Sequence, residues 1–278
     1  MTAVAGSLTT RFLRPTLVVV GLALLLILMI RVYGVQSMLF PTWMLPAQPP
    51  KPTLDSGEIW TLATNQGDVE AFFFPAQSRA PTVIITHGNA ELIDNYRVVG
   101  EWYQQQGFTV LIPEYRGYGR SKGTPSKDAL VADLIAFYDR LRDHPAVDST
   151  QIYFYGRSLG GAIAAAASRA RPPKALVLES SFTSVRQLAR ERRFPGFLVG
   201  DSFDSEAALR LAPFPVLLIH GRSDDIVPVH HIEQMATAIP NSTVLLLDCG
   251  HNDCPRSDSE IVRFYRSVSE ASVRAPTP

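Results

Sequence analysis

The chain has few cysteines, and neither positive nor negative side chains are in excess. Only Cys249 and Cys254 occur in 278 residues, too few for a disulfide framework, and neither has a partner at zinc-finger spacing. The 26 lysines and arginines equal the 26 aspartates and glutamates, so no basic excess predicts nucleic-acid binding. With 46% hydrophobic residues, the composition excludes a disordered chain and predicts one folded domain with its own core.

Long apolar runs are missing, with one exception near the N-terminus. Residues 17–30 are all apolar or glycine, and as a helix they would extend about 21 Å. That length is short of the ~30 Å of bilayer hydrocarbon and is typical of a signal-peptide core. No Ala-x-Ala-like cleavage site follows, and a helix continuing to Val35 would reach spanning length. We therefore predict an uncleaved transmembrane helix within residues 1–40.

The charges beside this run predict an orientation. Arg11, Arg14 and the terminal amine outweigh Arg31, which predicts a single-pass protein with a cytoplasmic N-terminus and the rest of the chain across the membrane. Five prolines between residues 41 and 52 predict a stiff linker. The folded domain is then expected at residues 53–272, followed by a tail at 273–278.

Beyond the linker, short apolar segments alternate with amphipathic ones. Strands are predicted at 58–64, 68–74, 82–86, 109–112, 151–155, 175–178, 216–220 and 243–247. Helices are predicted at 94–106, 127–142, 163–170, 229–238 and 259–269. This alternation predicts an α/β fold with a doubly wound, mostly parallel sheet, whose ligand site lies at the carboxyl ends of the strands.

The sequence Gly-Arg-Ser-Leu-Gly at 156–160 connects one of these strands to an alanine-rich segment. Small residues on either side of Ser158 permit the tight strand-to-helix turn that exposes a nucleophilic serine. The pattern alone also fits an ordinary glycine-rich turn. Its place between a predicted strand and a predicted helix favours Ser158 as a nucleophile.

A serine nucleophile needs a general base, and that base needs an orienting carboxylate. His251 follows the last predicted strand, and Asp224 and Asp225 follow the strand before it. The chain order Ser, Asp, His is the order expected of such a fold. Either aspartate can orient the imidazole, whereas the other would be a turn residue or helix cap.

Acyl transfer also requires donors for the developing oxyanion. The sequence His87-Gly88-Asn89 follows the predicted strand at 82–86, so we assign this role to the backbone N–H groups of Asn89 and Leu159. His87 is expected to be a structural hydrogen-bonding residue. The chain shows no second cluster of metal ligands and no Gly-x-Gly-x-x-Gly sequence, so neither a metal nor an organic cofactor is expected.

Together these motifs resemble the alpha/beta-hydrolase superfamily from about residue 57 to residue 269. The segments closest to lid-poor serine hydrolases with one N-terminal membrane helix are 87–91, 114–119, 179–184 and 250–253. The resemblance implies a Ser158, Asp224 and His251 triad that hydrolyses an ester, a thioester or an amide. Some eukaryotic relatives are similar to protein depalmitoylases held to membranes by lipidated N-terminal cysteines. Here the first cysteine is Cys249, so a thioesterase is only one option.

Residues 179–215 are too few for a large cap over the site. They include the apolar residues Phe182, Phe194, Phe197, Leu198, Val199 and Phe203 and the cations Arg190, Arg192 and Arg193. This mixture fits an acyl pocket facing lipid headgroups, and it fits equally well a set of side chains packed on the sheet.

We therefore expect a serine hydrolase that cleaves an ester or thioester of an acyl or lipid-like substrate through an acyl-enzyme. A peptidase or amidase with the same triad is the first alternative. A non-catalytic binding protein is disfavoured by the complete set of catalytic residue types. Cys249 and Cys254 flank His251, and their spacing permits a disulfide without requiring one.

Overall fold

The computed structural model describes residues 7–29, 33–46, 48–196, 198–199 and 202–274. The strands in this part of the chain are β1 (Glu58–Thr64), β2 (Gly67–Phe74), β3 (Ala80–Thr86), β4 (Thr109–Pro113), β5 (Val147–Arg157), β6 (Leu176–Glu179), β7 (Val216–Gly221) and β8 (Ser242–Leu247). They form one sheet in the order β1-β2-β4-β3-β5-β6-β7-β8. Strand β2 pairs antiparallel with β1 and β4, and all other neighbours are parallel. The predicted mostly parallel sheet is confirmed.

Helices cover both faces of this sheet. The α-helices of the described residues are α1 (Ser7–Met29), α2 (Val35–Leu39), α3 (Arg97–Gln105), α4 (Lys127–Arg142), α5 (Leu159–Ser168), α6 (Val185–Glu191), α7 (Ser205–Leu209), α8 (His230–Ala238) and α9 (Asp258–Arg274). Residues of α3 and α9 pack with Phe72 and Phe74 on one face, and residues of α4, α5 and α8 pack with Phe73 on the other. Adjacent phenylalanines of β2 reach different layers because side chains alternate along a strand.

Some predicted elements have different bounds in the structure. The helix predicted at 163–170 begins at Leu159, directly after Ser158. The helix predicted at 94–106 consists of a 3₁₀ turn, Ile93–Tyr96, followed by α3. The cap contains α6 and α7, which the sequence did not predict. Each has seven residues or fewer, too short for helical periodicity to stand out.

Residues 17–29 of the apolar N-terminal run lie in α1, whereas the predicted continuation through residues 30–32 lies outside the described residues. In the part of the chain that the structure describes, no helix has the length and apolar character needed to cross a membrane. The first half of α1 contains Thr9, Thr10, Arg11 and Arg14, and the apolar run alone would extend only about 21 Å. The orientation across a membrane stays a prediction.

The segment after α1 packs on the folded domain. Phe40 is buried in the main core, and Leu39 and Leu45 pack against the same cluster. The Gln36 side chain donates a hydrogen bond to the Pro125 carbonyl. Part of the segment assigned to the membrane anchor therefore packs on the folded domain.

The first turn of α5 passes very close to the end of β3. A methyl group on Gly160 would overlap the Thr86 carbonyl, and one on Gly156 would lie 2.5 Å from the Gly161 Cα. The Thr86 hydroxyl donates to the Gly160 carbonyl at 2.9 Å. Glycine is thus required at both positions by backbone packing.

We predict that Gly160→Ala destabilises the fold by about 1–3 kcal/mol, because the added methyl group forces α5 away from β3. Urea unfolding followed by circular dichroism measures this change. Gly21→Ala is the control, since no atom lies within 4 Å of its added methyl group. Equal midpoints for Gly160→Ala and the parent chain would contradict the close packing described here.

Candidate active site

Ser158 occupies the turn between β5 and α5 in a strained backbone conformation. Its φ is 51° and its ψ is −115°, a region that residues other than glycine rarely adopt and that is typical of a nucleophile elbow. The Ser158 N–H donates to the Glu179 carbonyl at 2.8 Å, and the Ser181 hydroxyl donates to the Ser158 carbonyl at 3.0 Å. The end of β6 and the loop after it thus hold the elbow in place.

His251 and Asp224 form a buried hydrogen-bonded pair. The His251 Nδ1 lies 2.7 Å from Asp224 Oδ2, and Asp224 Oδ1 accepts from the N–H groups of Ile226 and Val227 at 2.9 and 2.7 Å. Asp225 is exposed. The structure therefore brings Asp224, and not its neighbour, to the imidazole of His251.

The surroundings of Asp224 favour its ionised form. Burial acts to raise the pKa of this carboxyl, but hydrogen bonds from His220, His251 and the Val227 N–H hold the pKa well below its usual range. His220 is fully buried at the end of β7. Its Nε2 donates to the Val227 carbonyl at 2.7 Å and lies 3.3 Å from Asp224 Oδ2. An ionised Asp224 can orient the His251 imidazole and stabilise an imidazolium.

Ser158 and His251 line the same pocket. Among the described residues, no hydrogen bond joins the Ser158 hydroxyl to the His251 imidazole. Such bonds are often long without substrate and shorten in the reacting complex. The two side chains are therefore brought together at one cavity, which proton transfer between them requires.

Asn89 and Leu159 line this pocket as well. Within the described residues, neither backbone N–H donates a hydrogen bond to another protein group. Leu159 is the first residue of α5, and N–H groups in the first turn of a helix have no acceptor inside the helix. Both amides are thus available to an oxyanion, the role assigned to them from the sequence.

His87 lies two residues before Asn89 in the same loop and is fully buried. Its Nδ1 is 2.9 Å from the Gly88 carbonyl, and its Nε2 is 2.9 Å from Glu114 Oε1. Both partners are acceptors, which suits a protonated ring. Burial acts to lower the pKa of His87, but the Glu114 carboxylate outweighs it and the pKa is raised. His87 therefore supports the loop, as the sequence predicted.

Arg157, the residue before the serine, connects three loops of the site. Its guanidinium donates to Glu91 Oε1 at 2.5 Å, to the His251 carbonyl at 2.7 Å and to Asn252 Oδ1 at 2.9 Å. Glu91 Oε2 accepts from the Gly88 N–H and the Tyr96 hydroxyl, both at 2.7 Å. Arg157 thus ties the elbow to the His87–Glu91 loop and to the loop that carries His251.

This network holds Glu91 in its charged form. Burial acts to raise the pKa of Glu91, but the Arg157 charge and the hydrogen bonds from Tyr96 and Gly88 lower it overall. Sequence reasoning missed the roles of Arg157 and Glu91, although both lie within motifs that it singled out. Their pairing joins residues 66 positions apart, which no local pattern shows.

A disulfide joins Cys249 to Cys254. It closes a short loop around His251, and the Gly250 N–H in that loop donates to Asp253 Oδ1 at 2.6 Å. The pairing that the sequence only permitted is therefore present. It restrains the backbone on both sides of His251.

The pocket beside Ser158 has a volume of about 680 Å³. Its lining includes seven polar or charged residues and one glycine: Ser158, His251, Asn89, Glu91, Arg157, Arg192, Asn252 and Gly88. The other lining residues are apolar: Met38, Leu39, Ala90, Leu159, Phe182, Val185, Leu188, Ala189, Phe194, Val199, Ile226 and Val227. Such a cavity is large enough for a small organic ligand. Its apolar wall lies next to the nucleophile.

The cap residues divide between a pocket and the core, and neither an acyl ligand nor contact with lipid headgroups follows from this division. Phe182, Phe194, Val199 and Arg192 line the pocket, whereas Leu198 and Phe203 are buried elsewhere. Phe197 lies outside the described residues. Arg190 and Arg193 are not among the pocket residues in the described part of the chain.

Met38 and Leu39 of α2 line the same pocket. The sequence placed both in the membrane anchor and gave no sign of this role. They form part of the apolar wall opposite residues of the cap. This pocket therefore contains residues from the N-terminal segment as well as from the folded domain.

Comparison with known proteins agrees with this fold. Residues 77–200 match the family model described as serine aminopeptidase, S33. The uncharacterized protein Rv2307c of Mycobacterium tuberculosis is 33% identical over 79% of this chain and 82% of its own length. The alpha/beta hydrolase domain-containing protein WAV2 of Arabidopsis thaliana is 28% identical over 78% and 79%. The chain belongs to the alpha/beta-hydrolase superfamily, and its fold is that of a hydrolase.

Solved structures share the fold at lower identity. Thermogutta terrifontis esterase 2, in a form phosphorylated by paraoxon, has a TM-score of 0.61 and is 18% identical, covering 81% of this chain and 98% of its own. The Pyrococcus furiosus esterase PF2001 has a TM-score of 0.60 and is 20% identical, covering 81% and 96%. At this level of sequence identity, the similarity shows only that these proteins share the fold.

We predict that Arg157→Met slows the reaction of Ser158 with a fluorophosphonate by up to about 100-fold, because small displacements of a catalytic group are costly. Arg157→Lys should recover little, since one ammonium cannot replace a planar guanidinium with several acceptors. Arg171→Met, which removes only a surface pair with Asp139, is the control. Labelling of Arg157→Met at the parent rate would exclude the positioning role.

Reduction of the Cys249–Cys254 disulfide is expected to slow fluorophosphonate labelling several-fold, because the loop around His251 gains conformational freedom. Labelling is followed in the presence and absence of a thiol reductant. The variant carrying both Cys249→Ser and Cys254→Ser should be labelled slowly, and the reductant should not change its labelling rate. Two free thiols in the untreated chain, or an unchanged rate after reduction, would refute this prediction.

Proposed function

We propose that this protein is a serine esterase that hydrolyses carboxylic esters or thioesters with an apolar acyl group. The observation that carries the proposal is the pocket of about 680 Å³, in which Ser158 and His251 lie beside an apolar wall. An apolar cavity beside a nucleophile suits an acyl chain bound with its carbonyl at the serine. A thioester would bind in the same way, because its acyl portion is the same.

In this mechanism, His251 takes the proton of the Ser158 hydroxyl as the oxygen attacks the substrate carbonyl. Asp224 keeps the imidazole in the tautomer with its proton on Nδ1, a role supported by the 2.7 Å contact between them. The N–H groups of Asn89 and Leu159 donate to the oxyanion. His251 then gives its proton to the leaving group, and water, activated by the same histidine, releases the acyl group from Ser158.

An aminopeptidase-like activity is the alternative suggested by the description of the matching family model. Binding a free amino terminus calls for a carboxylate near the scissile bond. Glu91 is the acidic residue among those that line the described pocket, and it is already paired with Arg157, Tyr96 and Gly88. This arrangement favours an ester over a peptide with a free amino terminus. The structural similarity to two esterases also supports the hypothesis that the substrate is an ester.

The proposal predicts that p-nitrophenyl esters are hydrolysed and that kcat/KM rises from acetyl to longer acyl chains, because each added methylene group is buried against the apolar wall. Ser158→Ala should lower kcat by several orders of magnitude. Release of p-nitrophenolate by the purified full-length chain measures both effects.

Ser267→Ala, which changes an exposed hydroxyl on α9, is the matched serine control and should retain parent activity. A parallel series of aminoacyl p-nitroanilides tests the alternative. Faster turnover of the anilides, abolished by Ser158→Ala, would replace the esterase with an amidase. Ester hydrolysis that survives Ser158→Ala would disprove both.

A further inference from the structure

Two histidines and a glutamate converge where the cap meets the folded domain, apart from the catalytic residues. Glu191 ends α6, and His230 and His231 begin α8. Glu191 Oε1 lies 2.9 Å from His230 Nε2, and Glu191 Oε2 lies 3.0 Å from His231 Nε2. The ligand atoms of all three side chains lie within 4.8 Å of one another.

The His231 ring is held in a fixed position. It is fully buried, and its Nδ1 lies 2.9 Å from the Thr183 hydroxyl oxygen and 3.3 Å from the Thr183 N–H. The hydroxyl donates its own proton to Gln187 Oε1 at 2.9 Å, so its oxygen can accept from Nδ1–H. In the observed arrangement Nε2–H donates to Glu191 Oε2 and the Thr183 N–H donates to Nδ1. A proton moved from Nε2 to Nδ1 would leave the Nε2 lone pair free for a cation. Metal-bound histidines commonly donate their other N–H to such an acceptor.

The three donors suit a zinc ion. Zinc binds imidazole nitrogen and carboxylate oxygen at about 2.0–2.2 Å, and a tetrahedral site therefore separates its ligand atoms by about 3.3 Å. The 2.9 and 3.0 Å contacts are made by the two different oxygens of Glu191, and all the ligand atoms lie within 4.8 Å of one another. A turn of the carboxylate and a small approach of the two imidazoles would bring one oxygen and both nitrogens to that separation. Glu191 and His230 are exposed, so an ion can enter from solvent and keep a water as its fourth ligand.

We propose that Glu191, His230 and His231 form a Zn²⁺ site that fastens α6 to α8. The sequence predicted no metal site because the histidines and aspartates at the strand ends belong to the triad. Glu191 lies 39 positions before His230, so no local sequence pattern joins these two residues. Val185, Leu188 and Ala189 of α6 line the substrate pocket, so the ion would fix one wall of that pocket. The site stands independently of the proposed esterase activity, because its evidence is the geometry of the three ligands.

Zinc titration of the full-length chain, stripped of metal with a chelator, tests the site by calorimetry. One Zn²⁺ per chain is expected. Glu191→Gln and His230→Gln should each weaken binding by at least the ~10–100-fold that loss of an outer-sphere partner costs. Thr183→Val should weaken it by about tenfold, because it removes the acceptor for His231 Nδ1–H. Co²⁺ bound at the same site should give the strong visible absorption of tetrahedral coordination.

Glu206→Gln is the matched control. Glu206 also lies between the cap and α8, where it accepts from the Gln234 side chain at 2.6 Å, and its substitution should leave Zn²⁺ affinity unchanged. Absence of saturable Zn²⁺ uptake by the parent chain would overturn the proposal. Equal affinity in the parent, Glu191→Gln and Thr183→Val would also overturn it, because the adjacent histidines alone would then explain the binding. Circular dichroism checks folding, and the exposed Glu191→Gln decides the result if a histidine variant unfolds.

Discussion

The close approach of α5 to β3 is the constraint on which the active site depends. Gly160 lies against the Thr86 carbonyl, where a side chain cannot fit, and this lets the helix begin directly after Ser158. The serine consequently takes a positive φ and lies beside the pocket. The same start leaves the Leu159 N–H without an acceptor in the helix. The sharp turn at Ser158 and the position of the Leu159 N–H at the helix start are thus two results of one backbone contact.

Charge balance is the second requirement of this site. Glu91 lines the pocket in which a negative oxyanion would develop, and an unpaired carboxylate there would oppose that charge. Arg157 neutralises Glu91 and also holds the carbonyl of His251. One guanidinium therefore removes an unfavourable charge and fixes the base relative to the nucleophile. The residue before Ser158 is well placed for this because it belongs to the rigid end of β5.

Much of the fold and the centre of the site could be predicted from the sequence. Buried parallel strands are continuous apolar runs, and catalytic residues follow such strands, so Ser158, Asp224 and His251 could be identified from local patterns. Arg157 with Glu91, and Glu191 with His230, are joined by tertiary contacts that leave no local signal. Helices α6 and α7 were missed because they are short.

The pocket shows why substrate preference is harder to predict than catalysis. Its apolar wall is built from α2, from α6 with the cap residues that follow, and from the loop after Asp224. These segments are far apart in the chain, and each contributes only a few side chains. The backbone at Ser158 is fixed by contacts within the sheet, whereas the shape of the pocket depends on how the short helices α2 and α6 pack. A shift of α2 or α6 would therefore change which ligands fit while leaving the Asp224–His251 pair intact.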